Sequence, residues 1–472
     1  MLRFFRINDP YRLLGLLIIL LLLGLPFLLQ PGDLLWSELK GFVLGEAISG
    51  GQLLYIQLYD DTAPLASEMF GVLDLLFGRT LWIRHVLALM ILFFQAAYFA
   101  ILLINNKAYA ENTYLPALIC GLLCFFSFDL MALSSELFAS SLLLFALNQL
   151  FHEIDFKIQH DETVLKLGLY LGLSTLFIFS YWIFLPLNLL ILLVFTRPGF
   201  RKICMLILAF SLPHALLISL YAYGNSLSLL WENFYASQMT LQGDMLVSAN
   251  GLLTLAAVPL FYWVVSVFMI NREVRFTKYQ SQLMQIMFLW LAFSLIHIFI
   301  AREVSPVSFL PCIPPMAYFI SHYLLLIRRR WIAEFMLWMF LTGIISVNLL
   351  SRKGLIRQVD YTNLFAKPLR HEAGLKDKGV MILEDGPGIY INNKLGGHFY
   401  NWNLSRILFE NPAVYERLEV IATCFEENPP EVIIDANNLM EDVMDKIPAL
   451  KNKYRKEGIR YHRIDGPVDA YH

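Results

Sequence analysis

The chain has 472 residues, of which 58% are hydrophobic and only 16% charged, whereas an ordinary soluble domain is about 25% charged. Lys and Arg number 36 against 38 Asp and Glu, a net charge of −2, which speaks against a nucleic-acid binder. With a mean hydropathy of +0.58, a soluble multidomain chain, a disordered one and a disulfide-rich one are excluded too.

Apolar runs of the ~20 residues needed to cross a bilayer are expected at 13–30, 83–104, 113–128, 130–150, 165–181, 182–196, 204–222, 250–270, 282–301, 307–327 and 331–350. The fold class expected is therefore mainly α, a polytopic α-helical membrane protein of about eleven spans, with a small C-terminal α/β extracytoplasmic domain. The pair between Leu165 and Thr196 meets at Ser180-Tyr181-Trp182, so one long helix plus a re-entrant piece is the alternative there. Arg3, Arg6 and Arg12 precede the first span. Arg197, Arg201 and Lys202, then Arg272, Arg275 and Lys278, then Arg328, Arg329 and Arg330 fall in loops on the same side. Lys and Arg stay on the cytoplasmic side, so the N-terminus is expected inside and the C-terminal segment outside. No small-x-small cleavage site follows the first run, which reads as a span rather than a signal peptide.

Two parts lie outside the spans. The loop 31–82 carries Leu65, Met69, Val72, Leu73 and Leu76, the spacing of an amphipathic helix at the interface. From Ser351 onward the composition turns mixed and polar. Short strand-like runs, Val380–Leu383 and Val432–Ile434, end at Glu384-Asp385 and Asp435, with helices expected around 415–425 and 439–456. The domains expected are 1–350, membrane-embedded with the large first outer loop, and 351–472, soluble. The five cysteines include no CxxC pair and read as small buried hydrophobes.

Charges near lipid are costly and so tend to be paired, wet or functional. The first outer loop holds Glu38, Lys40, Glu46, Asp60, Asp61, Glu68 and Asp74. Adjacent aspartates such as Asp60 and Asp61 can hold a divalent cation or act as a general base for a hydroxyl. The plainer reading is a solvated loop, or an Asp61-Thr62-Ala63-Pro64 helix cap. Glu136 opens the fourth span just after Asp129, and either faces a cavity or is paired. Arg302-Glu303 follow the ninth span. Arg302 suits a phosphate, or else a surface pair. His297 reads as a core histidine, and Trp231, Phe234 and Tyr235 as an interfacial belt. Walker A, HExxH and GxSxG motifs are absent, as are the paired helix breaks of many transporters.

The order of features resembles the GT-C superfamily of polytopic membrane glycosyltransferases, in its bacterial aminoarabinose and mannosyl transferase-like branch. The residues that carry the likeness are Ser37-Glu38, Gly50-Gly51 with Tyr55, Asp60-Asp61, Ala63-Pro64-Leu65, Leu76-Phe77-Gly78, Arg84, Glu136, and Arg302 ahead of Phe309-Leu310-Pro311 and Pro314-Pro315. The resemblance implies sugar transfer from a polyprenyl-phosphate-linked donor at the outer face of a bacterial inner membrane. It implies Glu38, Asp60 and Asp61 as catalytic candidates, and Lys40, Arg84, Glu136 and Arg302 as substrate-binding ones. The partners implied are membrane lipid, the lipid-linked donor and cell-envelope proteins. The family's leading aspartate is Ser37 here. Either one of the three acids takes over as base, or the chain is a non-catalytic scaffold or lipid-binding subunit of an envelope complex. A lipid or solute transporter is the third reading.

Overall fold

The computed structural model describes residues 1–30, 32–155, 160–239, 244–273, 276–368, 375–384, 386–410, 412 and 414–464. Pro31, Arg275 and Asp385, named above, lie outside the described residues. The chain is a polytopic helical membrane protein. Seven described helices are long and apolar enough to cross a bilayer: Arg12–Leu29, Leu81–Asn105, Ser135–Ile154, Phe200–Tyr223, Lys278–Ile300, Pro306–Leu326 and Arg330–Arg352. An eighth candidate, Ala249–Leu255 with Ala257–Arg272, is bent by 62°. Pro259 sits in the first turn after the bend, where its missing N–H interrupts the ladder. The runs at 113–128, 165–181 and 182–196 form shorter helices, Leu115–Leu123, Asp161–Thr175 and Phe179–Phe195.

Two compact units divide the chain. Their bounds differ from the division expected at residue 350, which was drawn on hydropathy and not on compactness. The first unit comprises Met1–Asp33, Thr80–Ser219 and Thr240–Leu364. Its helices approach closely where small residues allow it. A Cβ on Gly168 would meet the Leu206 carbonyl oxygen at 2.6 Å, and one on Gly172 that of Phe210 at 2.3 Å, the small-xxx-small packing of lipid-embedded helices. Gln95, buried in a span, donates to Leu137 O at 2.7 Å and to Ser141 Oγ at 2.8 Å, so its amide is not stranded in hydrocarbon. Four cysteines are buried as expected, but Cys204 is exposed. It lies on Phe200–Tyr223, where Leu208, Leu212 and Leu216 are also exposed, an apolar face of the kind that lipid covers.

The second unit gathers Leu34–Arg79, Leu220–Met239 and Phe365–His472. Its five-stranded sheet runs in the order Lys394–Leu395, Gly379–Ile382, Val432–Ile434, Arg460–Arg463, Tyr454–Glu457. The first three strands are parallel and the last two antiparallel. Helices Trp402–Glu410 and Tyr415–Glu427 connect the strands Lys394–Leu395 and Val432–Ile434, which flank Gly379–Ile382 and run parallel to it, the crossover that parallel strands require. The helix expected over 439–456 is corrected. It ends at Lys446, and Tyr454–Glu457 is a strand, because Pro448 stops the helix and Gly458, at φ +67°, turns a hairpin into Arg460–Arg463. Met381, Phe399, Phe409, Ile421, Phe425, Ile433 and Tyr461 form the core, and Tyr59 of the segment Leu34–Arg79 is packed into it.

Within that segment, Trp36–Ser49 pairs with Pro64–Phe77. A Cβ on Gly45 would meet the Phe70 carbonyl oxygen at 2.7 Å, and one on Gly71 the Ile48 side chain at 2.7 Å, so two glycines set the spacing. Ala66, Ser67, Phe70 and Leu73 face inward, while Val72, Leu75 and Leu76 stay exposed as an apolar stripe.

Candidate functional site

The second unit brings Lys40, Asp60 and Asp61 together. Lys40 projects from Trp36–Ser49, and its Nζ lies 3.7 Å from Asp60 Oδ2 and 3.5 Å from Asp61 Oδ1. Asp60 is wholly buried and Asp61 is 6% exposed. The backbone on both sides is pinned. Tyr59 N–H donates to His398 O at 2.8 Å, and Asn401 N–H donates to Tyr59 O at 3.1 Å. With the Tyr59 ring in the core, the pair begins one residue beyond a fixed anchor. On the other side Tyr55, fully buried at φ +63°, donates its hydroxyl to Thr62 O at 2.5 Å. A left-handed non-glycine residue costs ~1–2 kcal/mol, here held by packing against Phe234, centroids 6.1 Å apart.

The two carboxylates have different surroundings. Asp60 Oδ2 accepts from Thr62 N–H at 2.9 Å and from the Thr62 hydroxyl. Asp60 Oδ1 is buried with no hydrogen-bond donor among the described residues. Asp61 Oδ1 accepts from Asn401 Nδ2 at 3.1 Å, and Asp61 O from Gln238 Nε2 at 2.8 Å. Burial, above all, pushes the Asp60 carboxyl upward. The Asp61 charge adds to this, while Lys40 and Thr62 oppose it. Tyr55 is raised by burial and then by Tyr221 and the two aspartates. The arrangement is a desolvated anionic pair bridged by one ammonium, fit to hold or take a proton.

The divalent-cation alternative meets Lys40 in the position between the carboxylates. Among the described residues no group of three or more His, Cys, Asp or Glu side chains could hold a metal. Asp61 does not cap the next helix. Pro64–Phe77 has Ala63 as its N-cap with no side-chain cap, since Asp60, not Asp61, bonds the Thr62 N–H. Glu38 is buried, and its Oε2 accepts from Leu35 N–H at 3.1 Å. This ties it to the start of its own helix, where a carboxylate also complements the dipole.

Residues outside the candidate set hold the unit together. Arg79 makes a bidentate pair with Glu46, Nε–Oε1 2.6 Å and Nη2–Oε2 2.7 Å, and donates to the carbonyls of Tyr390 and Asn393 at 2.8 and 3.0 Å. A cleft of about 650 Å³ is lined by Glu46, Gln52, Gln57, His398, Glu427 and Asn428, among others. Gln57 Nε2 donates to Glu427 Oε2 at 2.8 Å, and His398 Nε2 lies 3.6 Å from it. Burial lowers the His398 imidazole more than Glu427 raises it. The interfacial belt is corrected in part. Trp231 is exposed, but Phe234 and Tyr235 are buried, because the π-helical turn Trp231–Ala236 directs them inward.

Arg84, Glu136 and Arg302 belong to the first unit. Arg84 is 3% exposed in the first turn of Leu81–Asn105. Glu136 opens Ser135–Ile154, half-buried, and Ser135 Oγ donates to it at 3.4 Å. Its charge reaches Asp129, a buried carboxyl in the turn before that helix. Asp129 accepts from the Ser127 hydroxyl and is pushed up to about 7, mainly by burial. Arg302 is half-buried, and its carbonyl accepts from Asp244 N–H at 2.7 Å, part of a two-residue parallel ladder joining Asp244–Met245 to Glu303–Val304. His297 is a core histidine, 1% exposed, with Nε2 2.9 Å from Ser180 Oγ.

No protein-family model matches the sequence, and no curated protein matches it. Among solved structures the chain is similar to ArnT from Cupriavidus metallidurans bound to undecaprenyl phosphate, with a TM-score of 0.59 and 10% identity over 96% of this chain and 98% of that one. It is also similar to the Archaeoglobus fulgidus oligosaccharyltransferase in the apo form, with a TM-score of 0.47 and 10% identity over 97% of this chain and 75% of that one. The likeness to ArnT spans nearly the full length of both chains, and it shows that this chain shares the fold of that structure.

Proposed function

We propose that this chain is a membrane glycosyltransferase that moves a sugar from a polyprenyl-phosphate-linked donor to an acceptor hydroxyl. Asp61 is the base. It takes the hydroxyl proton, the acceptor oxygen bonds to the anomeric carbon, and the bond from that carbon to the lipid phosphate breaks, the phosphate leaving with the electron pair. A base must be ionised and within ~3 Å of the proton it takes, and of the two aspartates Asp61 has the greater access. Lys40 holds the pair, Asp60 stands behind it, and Glu38 fixes the helix that presents Lys40. Arg302 is assigned to the donor phosphate, with Arg84 and Glu136 as further substrate-binding residues. The polar cleft lined by His398 and Glu427 is assigned to the acceptor.

The observation that carries this reading is the buried Asp60–Asp61–Lys40 cluster on a fold like that of ArnT. The undecaprenyl phosphate in that structure's description supports a polyprenyl-phosphate donor here. The basic clusters support an inner-membrane orientation with the N-terminus cytoplasmic and 351–472 a periplasmic domain beside the membrane domain 1–350. Native mass spectrometry of protein purified from a bacterial membrane tests the donor. A bound polyprenyl phosphate, lost in Arg302→Ala, is expected. Wild-type protein that takes up none when undecaprenyl phosphate is added would overturn the assignment. Ser37, in place of the family's leading acid, favours a second reading as a non-catalytic envelope scaffold. That reading shares the bound lipid but predicts no sugar transfer.

A further inference from the structure

Asp60 and Asp61 are adjacent in sequence and share one ammonium, yet two amides from distant segments attend only Asp61. Asn401 Nδ2 reaches its carboxylate and Gln238 Nε2 its carbonyl. The Asn401 amide could not readily be reversed. Its Oδ1 accepts from Asn403 N–H at 3.1 Å, an Asx turn that opens the helix Trp402–Glu410 and leaves the NH2 group facing Asp61. Its backbone is held as well, since Asn401 N–H donates to Tyr59 O and Asn401 O accepts from Ser405 Oγ at 2.9 Å. The donor aimed at Asp61 is therefore fixed at both ends, while Asp60 Oδ1 is buried with no donor among the described residues.

We propose that Asn401 is a positioning residue that makes the two aspartates unequal, holding Asp61 oriented and ionised and leaving Asp60 as the member that binds the proton. This rests on the reading of Asp61 as base. A donor hydrogen bond to an anion favours the anion, and burial favours the acid; at Asp60 the two Thr62 donors on Oδ2 oppose burial, which outweighs them, while Oδ1 has no donor among the described residues. Burial acts on Asp60 in this direction, with Asp61 adding to it as an anion. Described groups that face the pair include Lys40 from Trp36–Ser49, Thr62 and Tyr55 from the same loop, and Gln238 from the 220–239 segment. Tyr221 and Tyr235 lie beyond Tyr55. The Lys40 ammonium serves both aspartates, whereas the Asn401 amide donates to the Asp61 carboxylate.

The test is 13C NMR of full-length protein in lipid nanodiscs, labelled at aspartate Cγ, with the two resonances assigned through Asp60→Asn and Asp61→Asn. In the wild type Asp61 is expected to ionise at lower pH than Asp60. Asn401→Ala is expected to raise the Asp61 midpoint by about one pH unit, a tenfold gain in proton affinity. Asn401→Asp keeps the acceptor for Asn403 N–H but replaces the donor with a second anion, so it is expected to raise the midpoint further. That variant keeps the test valid if Asn401→Ala disturbs the turn. An Asp61 midpoint unmoved in both variants, or Asp60 ionising first in the wild type, overturns the inference whatever a transfer assay gives. A shifted midpoint in a protein that transfers no sugar counts against the proposed function alone.

Discussion

Replacing Lys40 with methionine removes the ammonium that bridges two desolvated carboxylates. At 3.5 and 3.7 Å, and at an effective dielectric near 20, each attraction is about 4–5 kcal/mol before desolvation. Removing one partner of a buried ion pair costs ~3–5 kcal/mol, because the remaining charges stay buried. The cost should depend on pH. The Asp60 carboxyl is raised in the folded state, so the folded chain binds its proton more tightly than the unfolded chain. Stability linked to that proton is present below the ordinary carboxylate range and is lost as pH rises through the folded value. Without Lys40, the largest force opposing this shift, the window extends upward. Lys40→Met should therefore lose ~3–5 kcal/mol at pH 8 and about 1–2 kcal/mol less at pH 5, where Asp60 takes up a proton. Thermal and denaturant unfolding in detergent micelles, at both pH values, reads the difference, and Asp60→Asn in the same background should recover part of the loss at pH 8. A loss equal at the two pH values, or below about 1 kcal/mol at pH 8, would refute the bridging role assigned to Lys40.

Three further outcomes follow from the geometry. Asp129, pushed up to about 7 by burial, binds its proton more tightly folded than unfolded, so stability should fall between about pH 4 and 7; Asp129→Asn should flatten that part of the unfolding profile. Arg79→Met strands Glu46 and three backbone carbonyls and should destabilise the second unit by about 2–3 kcal/mol, read as faster hydrogen exchange at 379–395. Arg302→Ala should weaken binding of undecaprenyl phosphate by about 2–5 kcal/mol if it pairs a buried phosphate; calorimetry showing wild-type affinity would return Arg302 to a surface role.

The membrane helices were legible because a 20-residue apolar run has few other uses in a protein. Each expected run is helical, and the errors concern length and, at 250–270, a bend of 62°. Leu115–Leu123 stops short because Phe125–Ser134 carries turns and the buried Asp129, features that hydropathy averages away. In the tail, Val380–Leu383 and Val432–Ile434 were readable as strands from their β-branched runs. Tyr454–Glu457 was not, since its residues are polar and only Tyr454 is buried. At the candidate site Asp60, Asp61 and Lys40 could be picked out as charges in a loop beside lipid. Their meeting through a lysine on the preceding helix could not, because no spacing rule links residues 20 positions apart across a loop. Asn401 carried a faint signal, an Asx residue immediately before a helix. Gln238 carried none, since a glutamine at the end of an aromatic segment looks like any surface polar residue.

The Asp60–Asp61 pair is proposed to perform sugar transfer. Its most direct measurement is turnover in proteoliposomes supplied with an undecaprenyl-phosphate-linked sugar and an acceptor lipid fraction, with release of undecaprenyl phosphate as the readout. Release by the wild type is expected, and for Asp61→Asn a fall of a hundredfold or more (~10²–10⁴ is typical for loss of a general base) with donor binding retained. Asp61→Asn turnover equal to that of an active wild type would contradict that role.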